Sequence, residues 1–132
     1  MELERINKTT YEWQEMTNII LDSKKFSLTV LQNLLKETYV ILTEYHRESL
    51  VPKEISKLLL EMESFLYFIT IMDGKDLCID FHYYQYISAI IDALKKGFFN
   101  GEYEYSFPKL KILDAKDNEI LIDFETNIFE LS

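Results

Sequence analysis

Glycine and proline are scarce in this chain: three and two in 132 residues. Phosphate-cradling loops need glycine at fixed spacing, and neither GxGxxG nor GxxxxGK occurs, which excludes the nucleotide chemistry built on those loops. So few breakers among 48% hydrophobic residues also excludes disorder and low complexity. Cysteine occurs once, at Cys78, so no internal disulfide can form. That fits a reducing compartment, and the charged start "MELERINKTTYEWQ" lacks the apolar stretch of a signal peptide, so the expected setting is cytoplasmic. Long apolar runs are missing too. The longest uncharged stretch runs from Phe81 to Ile91, well short of the roughly 20 residues a membrane helix needs. Positive charge is the last shortage: 14 Lys and Arg against 23 Asp and Glu, net −9. Such a chain repels nucleic-acid phosphates and anionic membranes, so neither is an expected partner, whereas a basic protein is. Acidity is equally a plain route to solubility.

The length and the absence of a linker or repeat predict a single domain over 1–132. Residues 1–8 read as a polar lead-in, and Thr9 with Glu12 forms a capping-box pattern that would open helix 1 over about 10–22, with Trp13, Met16 and Ile20 at helical spacing. Ser27 can cap helix 2, which carries Leu28, Leu31, Leu35, Leu42 and Tyr45 on one stripe and runs to about His46. Pro52 suits the first turn of helix 3. The end of that helix is ambiguous, because Asp73-Gly74 is both a hairpin signal and a helix terminator. The period from Ile55 favours a helix to about Met72. Helix 4 spans about 80–97, closed by Gly97 or Gly101. Beyond it the period falls to two in "EYEYSF" (102–107), "KLKIL" (109–113) and "EILIDFE" (119–125), with turn residues "DAKDN" between the last two. The expected class is therefore α+β: about four helices over 9–97, then a three-stranded antiparallel meander over 102–125.

Cys78, Asp80 and His82 form the obvious chemical cluster. A zinc site needs about four ligands, or three plus water. The only other histidine is His46, and there is no second cysteine, so no metal or cofactor is expected. An activated thiolate needs a shaped oxyanion site, and no such elbow is present. Asp114, Asn118 and Glu125 match positions 1, 5 and 12 of a calcium loop, but Lys116 stands at position 3 and Glu119 where glycine is required, so a charged hairpin turn is the better reading. Glu102 and Glu104 share a strand face and Glu61 and Glu63 point apart on a helix; neither pair is set up for acid–base work. The chain reads as a non-enzyme.

Charge and aromatics are unevenly placed. Residues 102–132 carry eight acids and three lysines, net −5, and nine of the 27 residues from Phe81 to Phe107 are Phe or Tyr. Rigid rings bordered by carboxylates suit a charge-selective protein interface, though rings can equally be core and acids solubilising. On a helical wheel Ile87, Ile91, Leu94 and Phe98 set the core direction of helix 4. Tyr83 and Tyr84 flank that core, Phe81 falls on the wet side as a pre-helical residue, and Tyr86 with His82 lies at the edge. The candidate partner-binding residues are therefore Tyr86, His82, Glu102, Glu104, Asp123 and Glu125. In size, charge and lack of catalytic motifs the chain resembles small acidic bacterial immunity proteins, with no shared motif. That resemblance implies a non-enzymatic inhibitor that neutralises a toxin by steric occlusion and charge complementarity. The other readings are a small-molecule carrier or sensor with an aromatic-lined pocket, and a homo-oligomeric adaptor that buries its aromatics against itself.

Overall fold

The structure, a computed structural model, describes residues 2–22, 27–71, 81–100, 103, 108–113 and 116–126, with the backbone alone given for 81–83. Within these residues four helices precede a two-stranded antiparallel sheet, an α+β arrangement. We label them α1 (Glu2–Leu21), α2 (Leu28–Tyr45), α3 (Lys53–Ile71), α4 (Phe81–Phe99), β1 (Lys109–Leu113) and β2 (Glu119–Asp123).

The core is one continuous apolar cluster. α1 packs most extensively on α3. Ile6, Trp13, Met16 and Ile20 of α1 meet a stripe of Ile55, Leu58, Met62 and Phe65, all nearly fully buried. Trp13 and Phe65 stack at 5.3 Å, tilted by 55°. The Trp13 indole N–H donates to Thr38 Oγ1 at 2.9 Å, giving α1 and α2 a directional bond inside the core. The Thr38 hydroxyl in turn donates a hydrogen bond to the carbonyl of Leu34, one turn back.

α1 begins at Glu2, which corrects the reading of residues 1–8 as a lead-in and of Thr9 as a cap. Thr9 and Thr10 lie inside the helix, buried, and donate to the carbonyls of Arg5 and Ile6. Tertiary contacts hold the early turns. Ile6 is buried, Arg5 reaches Glu37 and Glu44 of α2, and Tyr45 donates to Glu2 at 2.7 Å. Local cap chemistry lost to packing here, as it commonly does.

Ser27 caps α2 as expected, its hydroxyl accepting from Val30 N, and His46 closes that helix. α3 runs through Ile71, so 67–71 are helical rather than the first arm of a hairpin; Asp73, Gly74, Cys78 and Asp80 lie outside the described residues. α4 starts at Phe81, placing that residue inside the helix rather than before it. Gly97 does not close α4, which continues to Phe99, with Asn100 N donating to Lys96 O. Ile87, Ile90, Ile91 and Leu94 form its buried face, while Phe98 is half-buried.

β1 and β2 pair with Leu110 opposite Ile122 and Ile112 opposite Ile120. Leu110, Ile112 and Ile122 face the core, leaving Lys109, Lys111, Leu113, Glu119, Leu121 and Asp123 on the outer side, as a period of two requires. β2 ends at Asp123, two residues before the expected limit, because Phe124 and Glu125 turn. There Phe124 N donates to Pro108 O and Thr126 N to Asp123 O. The turn between the strands places Asp117 at φ 61°, a left-handed conformation that Asp tolerates better than most residues. This is the hairpin expected for "DAKDN", although Asp114 itself is not described. The expected first strand, 102–107, is outside the described residues except for Tyr103.

Candidate functional site

Tyr103, between α4 and β1 in sequence, packs on the helices beside the hairpin, and Tyr39 links its ring to the hairpin. The Tyr103 ring lies against Gly97 of α4, and its hydroxyl donates to Leu94 O at 2.9 Å. Its faces and edges meet Tyr39 at 5.3 Å and His46 at 5.2 Å, both near T-shaped, the geometry aromatic quadrupoles favour. Tyr39 also contacts Phe124 at 5.4 Å and donates from its hydroxyl to Lys109 O at 2.9 Å. His46 Nδ1 and Thr43 O are 2.8 Å apart, so with the proton on Nδ1 the ring is anchored to its own helix. Gln32, further up α2, donates to Thr126 O and ties down the far end of β2.

Burial pushes the Tyr39 phenol up to about 12, and burial, with the neighbouring Tyr39 charge second, pushes Tyr103 up as well. Both therefore stay protonated at neutral pH and act as donors to main-chain carbonyls. An unfolded tyrosine ionises near 10, below the folded Tyr39. The stability this gives is complete below pH 10 and is lost as pH rises through 12, by about 2–3 kcal/mol for Tyr39. Urea midpoints measured between pH 9 and 12 should fall over that window. The fall should be shallower in Tyr39→Phe, and equal slopes in both proteins would refute the assignment.

Between the C-terminal half of α4 and β1 is an open cleft of about 380 Å³. Asp92 and Lys96 pair across one wall at 2.9 Å, and Lys111 and Glu119 across the other at 2.8 Å. Asn100 and Leu113 also line it, and Tyr103 is its one aromatic lining residue among those described. The charges are balanced within the cleft.

The residues expected to bind a partner are placed as follows. Tyr86 is half-buried on α4 and packs against the core, about two turns before Asp92, where the α4 wall of the cleft begins. Asp123 is half-buried and Glu125 exposed. The two are neighbours, with Glu125 N donating to Asp123 Oδ1 at 3.0 Å. The His82 side chain, Glu102 and Glu104 lie outside the described residues. Among the described residues no three His, Cys, Asp or Glu side chains are grouped as a metal site, and no helix is long and apolar enough to cross a membrane.

Tyr39 and Tyr103 were not singled out from the sequence, which marks Gly97 only as a possible end of helix 4. One signal was available: a glycine inside an otherwise helical pattern marks a close approach. Beside these strand and helix residues, the outer sheet face carries Leu113 and Leu121, each about half exposed (53% and 51%) and diagonal to one another across the pair. Glu119 and Asp123 share that face with Lys109 and Lys111, so the leucines lie among charges of both signs, Glu119 being paired with Lys111. Searches against protein families, curated proteins and solved structures each find no match for this chain.

Proposed function

We propose that this protein is a non-enzymatic binding inhibitor of the immunity type, cytoplasmic and cofactor-free, that neutralises a basic protein partner by occluding it. The observation that carries the reading is the outer face of the hairpin, where half-exposed Leu113 and Leu121 lie beside Asp123, with Glu125 just beyond; Glu119 on that face is paired with Lys111, and Lys109 stands opposite Asp123. Exposed leucines give a partner area to bury, and carboxylates steer a cationic surface onto them. The chain's net charge of −9 adds a long-range attraction for the same partner. Tyr86, His82, Glu102 and Glu104 are further proposed contacts, and the mechanism involves no turnover.

The test is calorimetric titration of the chain against a panel of basic toxin domains, in low salt and in about 0.5 M salt, where the Debye length falls below roughly 5 Å. A complex should form at low salt and weaken at high salt. Asp123→Asn with Glu125→Gln should weaken it by about 10-fold or more, chiefly through slower association. Asparagine keeps the acceptor for Glu125 N, so the turn survives the loss of charge. No complex at low salt with any basic domain would sink the proposal.

A further inference from the structure

α3 has two apolar faces, and only one of them is core. Ile55, Leu58, Met62, Phe65 and Ile69 are turned to the interior. On the opposite side Leu60, Tyr67 and Ile71 are 68%, 60% and 57% exposed. At 100° per residue these three and Ser64 fall within about 60° of arc, in a ridge roughly 16 Å long. Lys53 and Lys57, both exposed, continue the same line toward the start of the helix. The acids beside the ridge face its neighbours. Glu63 pairs with Lys95 of α4 on one flank, and Glu61 accepts from Gln14 of α1 on the other. On a chain of net −9 this leaves an apolar ridge with a basic end and no acid along its crest.

We propose that the ridge is the seat of a second copy of this chain, packed antiparallel about a two-fold axis. The pattern is complementary to itself when reversed about the point between Phe65 and Leu66. Leu60 of one copy then meets Ile71 of the other, and Tyr67 meets Ser64, a large side chain over a small one. The lysines are carried to opposite ends, whereas a parallel arrangement would set Lys53 against Lys53 and Lys57 against Lys57. Two molecules of net −9 repel over most of their surface, and the acid-free ridge is where they approach at least electrostatic cost. The area is on the order of 500 Å² per copy, below the roughly 800 Å² of a standard interface, so the expected dimer is weak and populated only at high concentration. This interface is independent of the hairpin face and stands or falls apart from it.

Sedimentation equilibrium of the full chain from about 10 μM to 1 mM should show the mass rising from 15.8 kDa toward twice that value. Leu60→Lys and Ile71→Glu should each weaken association at least 10-fold while leaving helicity unchanged, since both side chains are mostly exposed. An equimolar mixture of the two variants should recover association, because in the mixed dimer the introduced ammonium faces the introduced carboxylate. A monomer at every concentration overturns the proposal. So does association that persists in both variants, and so does a loss in the single variants that the mixture fails to restore.

Discussion

Gly97→Ala is expected to lower the unfolding free energy by about 2–3 kcal/mol, against the usual gain of up to about 1 kcal/mol for this change inside a helix. A Cβ at Gly97 would stand 2.1 Å from two ring carbons of Tyr103, a distance no side chain accepts. The ring has to leave. With it go the hydrogen bond to Leu94 O and the ring contacts with His46 and with Tyr39, the residue that bonds the hairpin at Lys109 O. Background dependence makes the test specific. In a Tyr103→Ala chain the space is already empty, so Gly97→Ala should become neutral or stabilising by up to about 1 kcal/mol. Urea unfolding followed by the fluorescence of Trp13, the only tryptophan, gives all four values. An unchanged penalty in the Tyr103→Ala background would show that the ring is not what excludes the methyl group.

Trp13→Ala should cost more, about 4 kcal/mol, because a fully buried indole leaves a cavity that the helices cannot close. It removes both the stack on Phe65 and the donor to Thr38. Two milder changes separate these contributions. Trp13→Phe keeps most of the packing, and Thr38→Val keeps the shape at 38 but strands the indole N–H in the core; each should cost about 1–2 kcal/mol. Combined, they leave no orphaned donor at 13, so the double variant should be less destabilised than the sum of the two. Far-UV circular dichroism during denaturation measures this, the fluorophore being absent from two of the variants. Strict additivity would mean that the 2.9 Å bond contributes nothing measurable.

Helical periodicity was the legible part of this sequence. It placed α2, α3 and the core face of α4 within a few residues of where they lie, because apolar spacing reports burial directly. The period-two runs 109–113 and 119–125 likewise marked both strands and their inner faces, the second running two residues past the strand's end at Asp123. What misled was chemistry with two uses. Thr9 belongs to a residue type that caps helices, yet here it bonds back to Arg5 O from inside one, turning its polar end away from the interior. Gly97 belongs to a type that ends helices, yet here its missing Cβ makes room for a ring six residues later. Both uses are set by long-range neighbours that local spacing does not encode. The candidate site was legible only as composition. An acidic, aromatic end was visible, but which rings face inward depended on the docking of Tyr39, Tyr103 and Phe124 around one another.

The turn after β2 has a thermodynamic side. Asp123 holds its carboxylate toward Glu125 N while its carbonyl accepts from Thr126, through both the amide and the hydroxyl. A free aspartate gives up rotamer freedom when it grips a cation, typically about 0.5–1.5 kcal/mol for a side chain immobilised at an interface. At Asp123 that freedom is already gone before any encounter, because folding removed it. Among the described residues Glu125 contributes only its amide to the turn, so there its longer side chain would lose entropy on finding a charge. The two neighbouring carboxylates thus differ in kind: in the proposed complex, one would be a fixed point to which a cation conforms, and the other would adapt to it.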